Sequence, residues 1–192
     1  NIFGYAWVIL NTIPVALLCA LFGAIRWYWP IDPLIRYWSG SLLFVFGVRC
    51  KAHGTEHAPQ AGSCVILSTH RSNLDAPCLI THMPLAFSFV IKRVLMRIPI
   101  FGWGVHGARY VSIERTNRVD ALSGLARACD LLRKGRSILL FPEGTRSPDD
   151  HMLPLKKGGI VLAIQAQVPI LPVAVGGTRA LMPKGRWHID RG

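Results

Sequence analysis

The first 25 residues of the chain contain no Asp, Glu, Lys or Arg. A helix rises ~1.5 Å per residue, so a segment of this length reaches across a ~30 Å hydrocarbon layer. The chain is therefore expected to fold partly in contact with a membrane. A secretory signal peptide is the competing reading, disfavoured because no basic residue precedes the apolar stretch, which is also long for a signal core. Pro14, beside Asn11 and Thr12, either kinks one helix or marks a turn between two shorter ones, which leaves both a full span and a re-entrant or interfacial hairpin open. Trp27, Tyr28 and Trp29 follow directly and suit the headgroup layer, while Arg26 and Arg36 open the basic part of the chain. That order puts the remainder on the cytoplasmic face of a bacterial inner membrane or an equivalent organelle membrane. A second apolar run, Leu42 to Val48, is too short to span and reads as an interfacial helix or a core segment. Residues 1–49 are thus expected to anchor a single domain formed by residues 50–192.

That domain alternates strands with helices. Val65 to Ser68, Phe87 to Ile91, Tyr110 to Ile113, Ile138 to Phe141 and Ile170 to Val175 read as strands. The clearest helix is expected to start with Asp120 as N-cap, to place Leu122, Leu125, Ala126, Cys129 and Leu132 on one stripe, and to stop at Gly135 after Lys134. Another is expected from about Gly159 to Gln167. The fold class is α/β, a largely parallel sheet flanked by helices and preceded by the membrane-associated helical segment, with ligand chemistry on the loops at the strand C-termini. The chain has no initiator Met and ends after the basic, turn-rich stretch Pro183 to Gly192. It is expected to be a trimmed piece of a longer protein, with room for a final strand beyond its end.

The formal net charge is +12, from 22 Lys and Arg against 10 Asp and Glu, and such a field attracts anions of any kind. Nucleic acid and anionic lipid both qualify. The basic residues begin where the apolar anchor stops, the arrangement that draws a protein to an anionic leaflet, and no zinc-finger, RRM or KH pattern is present. Membrane lipids are therefore the expected partner, and nucleic acid is not. Cys19, Cys50, Cys64, Cys78 and Cys129 include no C-x-x-C pair and are odd in number, so neither a disulfide framework nor a metal site is expected. Each reads as a small buried apolar residue; Cys78 alone lies near other chemistry.

Two clusters carry that chemistry. The first, Thr69-His70-Arg71-Ser72-Asn73-Leu74-Asp75, follows an apolar strand. His70 and Asp75 stand five apart, and at ~100° per residue a continuous helix would set them about 140° apart around its axis, out of reach. At a strand-to-helix corner they can meet. Asp75 then sits at a helix N-terminus, where negative charge is favoured, and receives Nδ1–H of His70, leaving Nε2 to take a proton from a hydroxyl. A plain helix cap, with Ala76-Pro77 as its first turn, accounts for Asp75 but not for His70.

The second cluster, Phe141-Pro142-Glu143-Gly144-Thr145-Arg146-Ser147, also follows an apolar strand. An Arg fork, two hydroxyls and backbone N–H groups around Gly144 and Thr145 suit a phosphate, although a Pro/Gly turn before a solvated loop has the same composition. Lys156, Lys157, Gly158 and Gly159 open the next helix, whose N–H groups face an anion as readily. Lys92, near a strand end, is a weaker candidate for the same work.

Taken together, the His70-x-x-x-x-Asp75 corner, the Phe141 to Ser147 loop, Lys157-Gly158 and Val168-Pro169-Ile170-Leu171-Pro172-Val173 resemble, in order and spacing, the glycerolipid acyltransferases, especially the 1-acylglycerol-3-phosphate acyltransferases. The resemblance covers roughly Lys51 to Lys184. One motif departs from it. Where that family usually has Gly-x-x-Phe-Ile-Asp-Arg, this chain has Gly107-Ala108-Arg109-Tyr110-Val111-Ser112-Ile113-Glu114-Arg115, with Ser112 and Glu114 in place of Phe and Asp. Arg115 is kept.

The resemblance implies that His70 is a general base oriented by Asp75, and that Arg146, with Arg115, binds the phosphate of lysophosphatidate. It implies acyl-CoA or acyl carrier protein as the thioester co-substrate, with no cofactor and no metal. Glu143, Gly144, Thr145, Lys92 and Lys157 complete the expected substrate site, Glu143 more by orienting the loop or Arg146 than by touching phosphate. Another lysophospholipid or glycerol-3-phosphate is the alternative acceptor. A hydrolase is disfavoured, since no Gly-x-Ser-x-Gly is present. A non-enzymatic basic protein on anionic membranes would make the ordered motifs coincidence.

Overall fold

The computed structural model describes residues 2–114, 118–149 and 151–191. Helix α1 (Ile2–Ala24) passes through Pro14 without a break. Proline removes one N–H from the helical ladder and leaves the rest of it in place, so the residue does not divide the segment. Helix α2 (Ile31–Val45) returns antiparallel to α1. Phe46 packs over Gly4 at one end, and in the middle Trp38 Nε1 donates to Thr12 Oγ1 at 2.8 Å while Asn11 Nδ2 donates to Ser41 Oγ at 2.6 Å. The polar residues beside Pro14 thus tie the two helices together. The apolar run that ends α2 proves to be core: Leu43, Phe46 and Val48 pack with Leu74, Cys78 and Met182.

The sheet has five strands, β1 (Val65–Ser68), β2 (Phe87–Lys92), β3 (Val111–Ile113), β4 (Ser137–Leu140) and β5 (Ile170–Val173), in the order β3-β2-β4-β1-β5. Every pair is parallel. Helix α3 (Asp75–His82) lies on one face, where Ile66, Leu139, Phe87 and Phe89 meet Leu79 and Ile80. Helices α5 (Arg118–Arg133) and α6 (Gly158–Ala166) cover the other face, where Val65 and Ile138 meet Ala128, Leu132 and Leu162. With both faces covered, the strands are apolar throughout instead of alternating.

The strand order positions the site. From β1 the chain crosses to β2 on one side, and from β4 it crosses to β5 on the other, which makes the gap between β1 and β4 a switch point of the topology. Leu67 stands opposite Leu140. The two loops that follow therefore leave the sheet side by side, although about seventy residues separate them.

Most element ends fall within one residue of those expected, and three features differ by more. Asp120 is not the N-cap of α5 but lies in its first turn, where it accepts Glu114 N–H at 2.5 Å and pairs with Arg93. The buried stripe of α5 is Gly124, Ala128, Cys129 and Leu132, whereas Leu122 is 57% exposed and Ala126 is also exposed. Gly124 sets that rotation, because a Cβ there would lie 2.3 Å from Ile113 Cγ2 and hold the helix off β3. Strand β5 stops at Val173 because β1 ends at its partner Ser68, and Val175 N–H goes instead to Thr69 Oγ1 at 2.9 Å.

Helix α4 (Phe101–Gly107) joins the helical hairpin to the sheet domain. Gly104 and Gly107 bring its backbone onto α1: a Cβ on Gly107 would stand 2.0 Å from the Cys19 carbonyl oxygen. Arg136, at the start of β4, makes a bidentate pair with Asp32 of α2 at 2.8 and 2.9 Å. Most of α1 outside these contacts is uncovered apolar surface, with Ile9, Leu10 and Leu21 more than half exposed. By length and composition it is able to cross a membrane.

Candidate active site

The corner after β1 makes one turn before α3 begins, and Asp75 is the first residue of that helix. This brings the His70 and Asp75 side chains together: Nδ1 lies 2.9 Å from Oδ2. The same Oδ2 accepts the backbone N–H groups of Arg71 at 2.7 Å and Ser72 at 2.9 Å, and Oδ1 accepts the Thr178 hydroxyl at 2.5 Å. Asp75 is fully buried. A carboxylate taken out of water costs several kcal/mol unless donors replace its hydration, and here each oxygen has them. Because Oδ2 can only accept, Nδ1 carries the imidazole proton and Nε2 offers its lone pair. No side chain among the described residues hydrogen-bonds to Nε2.

Phe141, first residue past β4, stacks on the imidazole with ring centroids 3.9 Å apart and planes 13° apart. It fixes the ring plane that the aspartate alone leaves free to swing. Glu143, next but one, is buried and faces inward: its Oε1 accepts His70 N–H at 3.0 Å and its Oε2 accepts Leu153 N–H at 2.9 Å. Ser147 N–H donates to the His70 carbonyl at 2.9 Å. The two loops are therefore cross-bonded through backbone on both sides of His70.

An apolar cavity of about 460 Å³ opens at this junction, within the ~300–1,000 Å³ usual for ligand sites. His70, Gly144, Thr145 and Arg146 stand at its polar end, and Val15, Ala16, Ile80, Phe89, Val105 and Tyr110 line its body. It lies between α1, α4 and the sheet. Lys92 reaches it from the end of β2. The Arg146 backbone is held by Lys184, whose Nζ donates to its carbonyl at 2.9 Å, and no carboxylate among the described residues engages the Arg146 guanidinium.

Of the residues singled out from sequence, His70, Gly144, Thr145, Arg146 and Lys92 line the cavity and Asp75 stands directly behind His70. Glu143 and Lys157 do not line it; Lys157 is an exposed residue at the N-terminus of α6. Arg115 lies outside the described residues. Cys78 is buried against Cys50, Sγ to Sγ 2.7 Å, and burial pushes its thiol well above the ordinary range. A thiol so protonated is no nucleophile. Thr178 and the stacking of Phe141 were not foreseen, since neither spacing nor composition ties them to His70.

A His–Asp pair at the polar end of an apolar cavity, at the switch point of a parallel α/β sheet, defines the class of site this fold presents. The chain belongs to the acyltransferase family, whose model matches residues 49–176. Among its relatives, the 1-acyl-sn-glycerol-3-phosphate acyltransferase of Pseudomonas aeruginosa is 39% identical over 144 residues, 74% of this chain and 55% of that one. The chloroplastic enzyme of the same name from Brassica napus is 31% identical over 153 residues, 79% of this chain and 44% of that one. The chain thus spans about half the length of the curated relatives it matches. In fold it matches the 1-acyl-sn-glycerophosphate (LPA) acyltransferase PlsC of Thermotoga maritima, with a TM-score of 0.83 over 100% of this chain and 79% of that one, at 24% identity.

Proposed function

We propose that the chain transfers a fatty acyl group from a thioester, carried by coenzyme A or acyl carrier protein, to the free hydroxyl of 1-acylglycerol-3-phosphate. The observation that carries this reading is the 2.9 Å contact between His70 Nδ1 and Asp75 Oδ2 at the polar end of the cavity. Nε2 of His70 takes the hydroxyl proton as the oxygen attacks the thioester carbon, and the imidazolium returns that proton to the departing thiolate. Asp75 holds the tautomer and stabilises the transient imidazolium. No acyl-enzyme is needed.

The cavity body suits an acyl chain, since its walls offer an alkyl tail contact without a hydrogen-bonding demand. Arg146, open to an anion, takes the acceptor phosphate through its planar fork, and Lys92 lines the same cavity. Glu143 shapes the loop through its two backbone contacts instead of meeting substrate. The relatives' names support this acceptor, and the uncovered apolar helix α1, which forms one cavity wall, supports a membrane setting for both lipids.

The test is a product-resolved acceptor screen. Purified protein in vesicles is given acyl-CoA or acyl carrier protein thioester with lysophosphatidate, with lysophospholipids whose phosphate bears a headgroup, or with glycerol-3-phosphate. Phosphatidate is the expected main product. A preference for a capped lysophospholipid or for glycerol-3-phosphate would reassign the acceptor while keeping the reaction.

A further inference from the structure

We propose that Thr178 is a positioning residue for the His70–Asp75 pair, an inference that rests on the acyl-transfer reading above. Thr178 lies beyond residue 176, where the family match ends. It opens the short helix α7 (Thr178–Leu181) and is only 5% exposed, beneath the corner that carries the pair. Its Oγ1–H donates to Asp75 Oδ1 at 2.5 Å, across 103 residues of sequence.

The division of labour at Asp75 gives this bond its meaning. Oδ2 serves three donors, two of them backbone N–H groups of the corner and the third His70 Nδ1. Oδ1 is served by Thr178. The donors on Oδ2 hold that oxygen, and the remaining play about χ2, a broad torsion for aspartate, is a rotation that tilts the carboxylate plane. A second donor on the other oxygen removes that rotation and holds the plane that aims Oδ2 at Nδ1. Thr178 also links the corner to the return after β5, where the Ser72 hydroxyl donates to the Met182 carbonyl at 2.8 Å and Thr69 Oγ1 receives Val175 N–H. The hydroxyl acts through Asp75 and touches no substrate, so its effect falls on turnover and not on binding.

The experiment is a double-mutant cycle on the full chain in vesicles, Thr178→Val with Asp75→Asn, reading kcat and KM for donor and acceptor separately. Thr178→Val alone is expected to lower kcat about tenfold or more, the size of one lost hydrogen bond to a charged group, with both KM values within about twofold. Thr178→Ser, which keeps the hydroxyl, is expected within about threefold of wild type. In the Asp75→Asn background the valine substitution is expected to cost less than about twofold, because the route through the carboxylate is already cut. Should Thr178→Val fail to fold, Thr178→Ala, which asks less of the buried space, replaces it in the same cycle. Wild-type kcat without the hydroxyl, or equal losses in both backgrounds, overturns the inference. Complete inactivity of wild type toward every acceptor instead overturns the acyl-transfer reading on which it rests.

Discussion

Asp75 receives four hydrogen bonds with no exposure to water, and that arrangement decides what substitutions there do. Asp75→Asn keeps the shape but presents an amide N–H to at least one donor and weakens control of the imidazole tautomer. It is expected to lower kcat by about a hundredfold or more, with modest loss of stability. Asp75→Ala strands several buried donors at once and is expected to cost about 3 kcal/mol or more in addition. Kinetics paired with chemical denaturation separate the two, and an active Asp75→Asn would reduce the residue to a helix cap. For Arg146, loss of a charge-assisted contact corresponds to about 1.5–3 kcal/mol, tenfold or more in affinity. Arg146→Ala should raise the KM for lysophosphatidate accordingly and Arg146→Lys should recover part of it. The penalty should be larger for a phosphate monoester than for a phosphate capped by a headgroup. Equal penalties would make Arg146 structural. The pairing of His70 with Asp75 was legible because residues five apart meet only where the chain turns a corner, and an apolar strand running into a helix N-terminus makes such a corner. Thr178 was not, because a contact across 103 residues leaves no local signature in either segment.

At the scale of elements, α1 against α4 is the contact that sequence patterning hid. The hydropathy of α1 announced a helix long and apolar enough to cross a membrane, but Gly104 and Gly107 read as ordinary glycines until their backbones are seen against Ala16 and Cys19. Gly107→Val is expected to push the helices apart, destabilising the protein by about 1–3 kcal/mol through overpacking and distorting the cavity that the two helices line. Thermal unfolding in detergent checks the first effect, and the KM for long-chain donors the second. Unchanged values for both would remove α1 from the cavity wall. Five strands were legible from their apolar runs, since a sheet covered on both faces demands them. The face of α5 was legible only in part, because the residue that sets its rotation near the N-terminal end is Gly124, which has no hydropathy to speak of. The sequence stripe shares Cys129 and Leu132 with the true one, and only its Leu122 and Ala126 turn out exposed.

For the whole molecule, the net charge of +12 and the uncovered apolar length of α1 would both favour an anionic lipid surface, the partner we propose. Binding to anionic vesicles should exceed binding to zwitterionic ones at low salt, and the difference should fade as ionic strength rises toward ~1 M, where the screening length is ~3 Å. Removal of residues 1–29 should abolish flotation with vesicles and lower activity on long-chain substrates; full activity of a soluble truncated protein would separate the anchor from function. If His70 drives direct acyl transfer to a lipid hydroxyl, as proposed, thiol release from acyl-CoA followed together with phosphatidate formation in lysophosphatidate-doped vesicles will reveal it. Wild type should release thiol only when lysophosphatidate is present and in equal amount to phosphatidate, and His70→Ala should fold, bind vesicles and release none above background. Thiol release without acceptor, or undiminished in His70→Ala, would rule out direct transfer driven by His70.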